Sequence, residues 1–372
     1  MTSQHPPSSY TLGEEAANSF TQRGDSALGM ADLGLSLPHA HGQPCLRGKL
    51  RAAPEDFQVR EELGFTLDGS GEHAWLWVRK RDANTDWVAR RLAERAGVPA
   101  AAIGYAGLKD RHAVTEQWFS VHLPGQPEPD WTAIDDPDFT VLRATRHSRK
   151  LRRGALSGNA FHIVIREFDG DPAELAERLN LVSATGVPNY FGEQRFGRES
   201  GNLERATAML RGEEKVRDRH RRGLYLSAAR AALFNAVLAR RVADHTWNQP
   251  LPGEVLMLAG SHSIFTTTEL DETLRQRVVA FDLHPTGPLW GAGELRSGGP
   301  VRELEETVAA TLPTFRDGLV AAGLKQERRA LRLAVWDATL VLPDARSAVL
   351  DFRLPAGAYA TTVLRELVRP LA

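Results

Sequence analysis

The sequence predicts an α+β fold in which a mixed sheet-and-helix unit is interrupted by a largely helical stretch and then completed. Three observations predict it. Strand-like alternation dominates residues 56–166, helical periodicity takes over from 172 to about 325, and strand patterns return at 331–342 and 346–354. Insertion of one domain into another fits this order better than two domains in tandem. The expected division is 46–184 with 334–372 for the sheet domain and 185–333 for the insertion. Residues 1–45 are rich in Ser, Gly, Pro and His and are expected to form a disordered or extended arm.

Taken in order, residues 56–62 read as a short strand and 73–79 as a buried one, apolar on both faces. Asn84-Thr85-Asp86 supplies a helix N-cap. Val88, Leu92 and Ala96 follow at helical spacing, and Gly97 with Pro99 ends the helix. A small-residue run at 102–107 leads into Gly107-Leu108-Lys109-Asp110-Arg111, and strands are expected at 115–123 and 160–166. A helix is expected at 172–184, with Leu175, Leu179 and Val182 on one face. Helices follow at 202–212, 225–245, 269–281 and 300–322, the last kinked or split by Pro313. After the returning strands, Gly357 marks a turn and 360–368 a short closing helix.

The chain has 372 residues, 42% of them hydrophobic and 25% charged, the balance of a soluble globular protein. Its one cysteine, Cys45, excludes an internal disulfide and any cysteine-based metal site, which points to a reduced, cytoplasmic compartment. Residues 1–45 lack the apolar core of a secretory signal, and no run of about 18 apolar residues could span a membrane. Net charge is −1, so a nucleic-acid binder would have to gather its positive charge on one face. The sequence does gather it. Between Val141 and Arg153 lie Arg143, Arg146, Arg149, Lys150, Arg152 and Arg153 with no acid among them. A second cluster, Arg217 to Arg222, is diluted by Glu213, Glu214 and Asp218. A solvated charged face explains either run equally well on composition alone.

The most telling stretch is Gly104-Tyr105-Ala106-Gly107-Leu108-Lys109-Asp110-Arg111-His112-Ala113-Val114-Thr115-Glu116-Gln117. An apolar strand delivers a turn that exposes Lys, Asp and Arg side by side, and another strand follows at once. Glycines at 104 and 107 permit close approach of backbone or ligand. Flanking cations favour the charged form of Asp110, and an ionised carboxylate at the rim of a sheet can act as a nucleophile. An ordinary salt-bridged turn is the competing reading.

This stretch closely resembles the catalytic motif of the TruD pseudouridine synthases. Five further stretches resemble that family in the same order: Pro54-Glu55-Asp56-Phe57-Gln58-Val59 with Arg51 upstream; Asn84-Thr85 with Val88-Ala89; Lys150 to Gly154 followed by Gly158-Asn159-Ala160-Phe161; Pro188 to Gly197; and Leu354 to Thr361 with Leu364-Arg365-Glu366. The matches run from about residue 49 to 369 and leave the arm uncovered. The resemblance implies a mixed, mainly antiparallel sheet of the pseudouridine-synthase type, interrupted by a largely helical α/β insertion domain. It implies isomerisation of a uridine in tRNA, typically uridine 13 in the D-arm, with no cofactor and no metal.

The resemblance makes Asp110 the catalytic aspartate. Attack at C1′ of the ribose, proton abstraction through a glycal, and addition to C6 of the base all remain open. The target base must leave its stack, and Phe57, Phe161 and Tyr359 are the aromatics expected around it. Tyr359 stands where the family commonly has Phe. Asn159 is expected either to bond the base edge or to order the Asp110 loop. Arg51 stands where the family often has Lys, and could pair with the aspartate or a phosphate; the two side chains differ in geometry at a bidentate site. Lys109 could face phosphate or shape the turn. The basic run 143–153 becomes the expected contact to the tRNA backbone, with Arg195 a further contact in the insertion. A monomer is expected, with no membrane association and no obligate protein partner. Two rival readings remain on sequence: a non-catalytic RNA-binding protein on the same fold, and a hydrolase with paired carboxylates that would release free uracil.

Overall fold

The computed structural model describes residues 37–134 and 136–371. In chain order the first half holds β1 (Arg47–Leu50), β2 (Phe57–Glu62), β3 (His73–Arg81), α1 (Thr85–Ala96), β4 (Ile103–Tyr105), β5 (Val114–His122), β6 (Phe139–His147), β7 (Gly158–Asp169) and α2 (Pro172–Thr185). A second unit follows: β8 (Val187–Pro188), α3 (Gly201–Leu210), α4 (Arg219–Ala243), β9 (Val255–Leu258), β10 (Ile264–Thr266), α5 (Glu272–Val279), β11 (Leu283–Leu289), α6 (Gly299–Ala310), α7 (Pro313–Ala321), β12 (Glu327–Ala330) and β13 (Arg332–Leu333). The chain then returns through β14 (Trp336–Asp344), β15 (Ser347–Pro355), α8 (Ala360–Leu367) and β16 (Arg369–Pro370).

The main sheet runs β14-β15-β7-β2-β5-β3-β6, with β4 beside β5, and β1 pairing both β7 and β16. Its ladders are antiparallel except β2 with β5 and β1 with β16. Two strands read at opposite ends of the sequence thus meet: β15 pairs β7 over its whole length, from Ala348 opposite Ile165 to Pro355 opposite Gly158. One core lies between this sheet and α2 and α8, and includes Phe57, Phe161, Ile163, Val182, Phe352 and Leu367. A second packs α1 against β3, β5 and β6 around Leu76, Leu92 and Phe119.

The second unit leaves and re-enters through the two-residue ladder of β8 and β13, where Val187 opposes Leu333. It has its own core on α3, α4 and α7, from Leu203 and Ala229 to Leu319. It also holds a four-stranded sheet, β10-β9-β11-β12, that periodicity did not reveal. The reason is visible in β11, whose sequence Leu-His-Pro-Thr-Gly-Pro-Leu carries two prolines and a glycine in a central strand. Such residues ordinarily argue against a central strand. Pro313 splits the expected 300–322 helix into α6 and α7, and α4 begins at Arg219, earlier than the apolar pattern suggests. Asp218 caps it by accepting from Arg221 N at 2.6 Å.

The expected arm is corrected over its last part. Residues 1–36 lie outside the described residues, but 37–45 are held. Arg365 donates to the carbonyls of Leu37 and Pro38 at 2.6 and 3.3 Å. The Ala40 amide donates to Glu366 Oε2 at 3.0 Å, and Arg178 to the carbonyls of His41, Gly42 and Gln43 at 3.1–3.2 Å. Among the described residues, no helix is long and apolar enough to cross a membrane.

Candidate active site

Residues 106–113 form the turn between β4 and β5, and its backbone is tied down from several sides. The Lys80 ammonium donates to the Asp110 carbonyl at 2.8 Å. The Lys109 amide donates to Thr85 Oγ1 at 3.0 Å, and that hydroxyl donates on to Gln117 Oε1 at 3.0 Å. The Gly154 amide donates to the Ala106 carbonyl at 2.8 Å, which brings the basic segment alongside. Gly104 is needed for that crossing: a Cβ there would stand 2.4 Å from the Leu151 carbonyl oxygen. Gly107 faces open space instead, so only Gly104 serves a close backbone approach.

With the backbone fixed, the two side chains at the centre go opposite ways. Asp110 remains 36% exposed and meets Arg51 Nη2 at 3.1 Å. Arg51 has φ 56°, the left-handed region, which costs a non-glycine residue about 1–3 kcal/mol and is typical of functional sites. Its guanidinium carbon lies 4.0 Å from the centre of the Phe57 ring. Lys109 turns inward. Its ammonium lies 2.8 Å from Glu61 Oε1 and donates to Asn159 Oδ1 at 2.7 Å, so it is not free for a phosphate. Glu61 Oε2 accepts from the Trp118 amide at 2.9 Å.

Two buried charges here escaped sequence reasoning. Glu61 and Lys80 both occupy inward positions of their strands: Phe57, Val59 and Glu61 alternate inward on β2, as Ala74, Leu76, Val78 and Lys80 do on β3. A charge at an inward parity position is the signal that could have found them. Burial pushes the Glu61 carboxyl up against the opposing pull of Lys109. Burial likewise pulls the Lys80 ammonium down to about 8, with Asp110 and Asp82 opposing and Lys109 adding to the drop.

The structure joins Arg51, Asp110, Lys109, Asn159 and Phe57 into one contact network. Phe57 and Phe161 sit 6.3 Å apart edge to face, and Phe161 stacks on Phe352 at 5.4 Å. At 2% and 6% exposure both rings belong to the core between the sheet and α2 and α8. Tyr359, the residue before α8, is 45% exposed and free to stack. Arg195 donates to Ser227 Oγ at 3.0 Å and shares the Phe191 ring with Arg329, at 5.4 and 4.2 Å. Neither Tyr359 nor Arg195 makes a hydrogen bond, ion pair or ring contact with the Asp110 network.

The basic run divides. Arg146 is paired with Glu128 at 2.8 Å, and Lys150 donates to the Ala101 carbonyl at 2.5 Å. Arg153 lies 5.9 Å over the Tyr105 ring, whose hydroxyl is held by Asp86. Arg143, Arg149 and Arg152 are exposed and carry no ion pair among the described residues. A cleft of about 310 Å³ between Asn84, Trp87, Arg90 and Leu108 opens beside the turn.

The turn thus carries a part-exposed carboxylate paired with arginine, with the basic segment tied alongside it at Ala106. The TruD family profile, described as tRNA pseudouridine synthase D, matches residues 36–216 and 214–367. A tRNA pseudouridine synthase D of Nitrosococcus oceani is 53% identical over 335 residues, 90% of this chain and 94% of its own. Another, from Methylococcus capsulatus, is 50% identical over 332 residues, 89% and 94% of the two chains. The crystal structure of the TruD protein of Methanosarcina mazei superposes with a TM-score of 0.71 at 23% identity, covering 92% of this chain and 98% of that one, and shares the fold. The chain belongs to the TruD family of tRNA pseudouridine synthases.

Proposed function

We propose that this chain converts uridine to pseudouridine in tRNA, at uridine 13 of the D-arm, with Asp110 as the nucleophile. Family membership supports the reaction class. The observation that carries the residue assignment is Asp110 itself. It is the carboxylate of the turn and is 36% exposed, with its backbone anchored by Lys80 and its side chain facing Arg51. The reaction breaks the N1–C1′ bond, turns the base and forms a C5–C1′ bond, with the C5 proton passing to solvent and N1 gaining one. Substrate and product are isomers, so no electrons enter or leave.

Arg51 holds the carboxylate, and Phe57 holds Arg51. Tyr359 supplies an exposed ring for the everted base. Arg143, Arg149, Arg152 and Arg153 contact phosphates, with Arg195 on the far wall. We further assign residues 46–184 and 334–372 to the catalytic domain and 185–333 to an insertion that closes over the RNA.

The test is to incubate tRNA with wild-type and Asp110→Ala protein and map carbodiimide-dependent stops. Wild type should create one stop reporting position 13. The variant should lose at least about 10⁴-fold in rate. A fully active variant removes Asp110 from the mechanism, and a stop elsewhere removes uridine 13.

A further inference from the structure

We propose that Lys109 and Glu61 fix the amide of Asn159 so that it admits uracil and refuses cytosine. This rests on the reading of the site given above. Glu61 and Asn159 are direct partners across the β2–β7 ladder, and Lys109 enters from the turn that carries Asp110. An ammonium has three donors and no acceptor. The atom of Asn159 that stands 2.7 Å from it must therefore be the carbonyl oxygen. Glu61, fully buried, stands 2.8 Å from the ammonium and holds it in place. The amide cannot flip without setting N–H against N–H inside a buried ion pair.

The consequence falls on the other end of the amide. Asn159 Nδ2 donates to nothing among the described residues, and it is not among the buried polar atoms left unpaired, so it reaches open space. The side chain thus presents donors only. Uracil and cytosine differ at C4, where uracil carries an acceptor and cytosine an amino donor. A fixed donor opposite C4 bonds uracil and meets the cytosine amino group donor to donor. Lys109 and Glu61 are positioning residues in this scheme, and Asn159 reads the base.

The experiment uses two tRNA transcripts that differ only in U or C at the modified position. Each competes against a labelled tRNA for pseudouridine formation by the full chain. With wild type, the U transcript should compete about ten- to hundredfold better than the C transcript, as expected when a donor is left unpaired against the wrong base. Asn159→Asp keeps one oxygen for Lys109 and turns the other, an acceptor, to the base, so the U/C ratio should fall to one or invert. Lys109→Met frees the amide to flip and should bring the ratio towards one. Unchanged ratios in both variants overturn the proposal. If Asn159→Asp does not fold, as judged by circular dichroism, Asn159→Ser gives the same decision, since a hydroxyl can donate or accept. A wild type that makes no pseudouridine would instead sink the reading of the site itself.

Discussion

Asp110 and Glu61 are two carboxylates served by neighbouring cations, and they use charge in opposite ways. Asp110 meets Arg51 at the surface, with both side chains about one-third exposed. Glu61 meets Lys109 in the interior, with the carboxylate sealed. Water screens the first pair, so its contribution to stability is about 0–1 kcal/mol and its value lies in where the carboxylate points. The second pair has given up hydration at both ends and is compensated only while both members remain. The lesson is that charge near an active site divides into groups left open for substrate and groups closed in to hold geometry. Burial, more than sequence proximity, tells them apart.

That division can be broken most forcefully at Glu61. Glu61→Ala leaves Lys109 buried without its partner and should cost about 3–5 kcal/mol of stability. Asp110→Ala should change stability by less than about 1 kcal/mol while abolishing isomerisation. Urea unfolding of both variants checks the contrast; equal losses would erase it. The double variant Glu61→Leu with Lys109→Met should recover most of the stability, because both charges leave together.

Histidines sharpen the same contrast through pH. Burial holds His284 down to about 4, helped by Arg332, and His39 down to about 4, helped by Arg365. Both are neutral in the folded chain where the unfolded chain, near its ordinary value of 6.5, takes up protons. The unfolded state therefore binds more protons between those limits, and stability falls as pH drops from 6.5 towards 4. Going from pH 7 to 5, His284 should cost about 2 kcal/mol, and His39, more open to water, less. Unfolding midpoints at the two pH values test this, and His284→Asn should remove its own share. An unfolding free energy that does not fall on acidification would show these imidazoles to be open to protons after all.

Much of this was legible in the sequence, for reasons that can be named. The Gly104–Gln117 stretch announces a strand, an exposed charged turn and a second strand, because each part has its own local signature. The split sheet was legible because period-two alternation resumes after residue 331. Three things were not. The inner sheet of the insertion hides behind the prolines of β11. Residues 37–45 read as a disordered or extended arm because what holds them stands far off in the chain, Arg178 more than 130 positions away and Arg365 and Glu366 more than 320. Lys109 stayed open between facing phosphate and shaping the turn because its partners, Glu61 and Asn159, are brought in by ladders that local patterns do not specify.

The smallest expected effect tests the open side of the comparison. Arg241 and Arg152 are alike in charge, yet Arg241 is buried against Glu254 at 2.9 Å while Arg152 stands exposed with no ion pair among the described residues. If exposed cations beside the Asp110 turn serve RNA, Arg152→Ala should leave folding unchanged within about 0.5 kcal/mol. It should weaken tRNA binding only a few-fold. The diagnostic quantity is the salt dependence. Removing one phosphate contact lowers the slope of log affinity against log salt by about 1. It should do so for any tRNA, since a phosphate contact carries no sequence information. Filter binding across a salt series measures the slope directly. An unchanged slope would place Arg152 among the merely solvated charges and move the RNA path to another edge of the sheet.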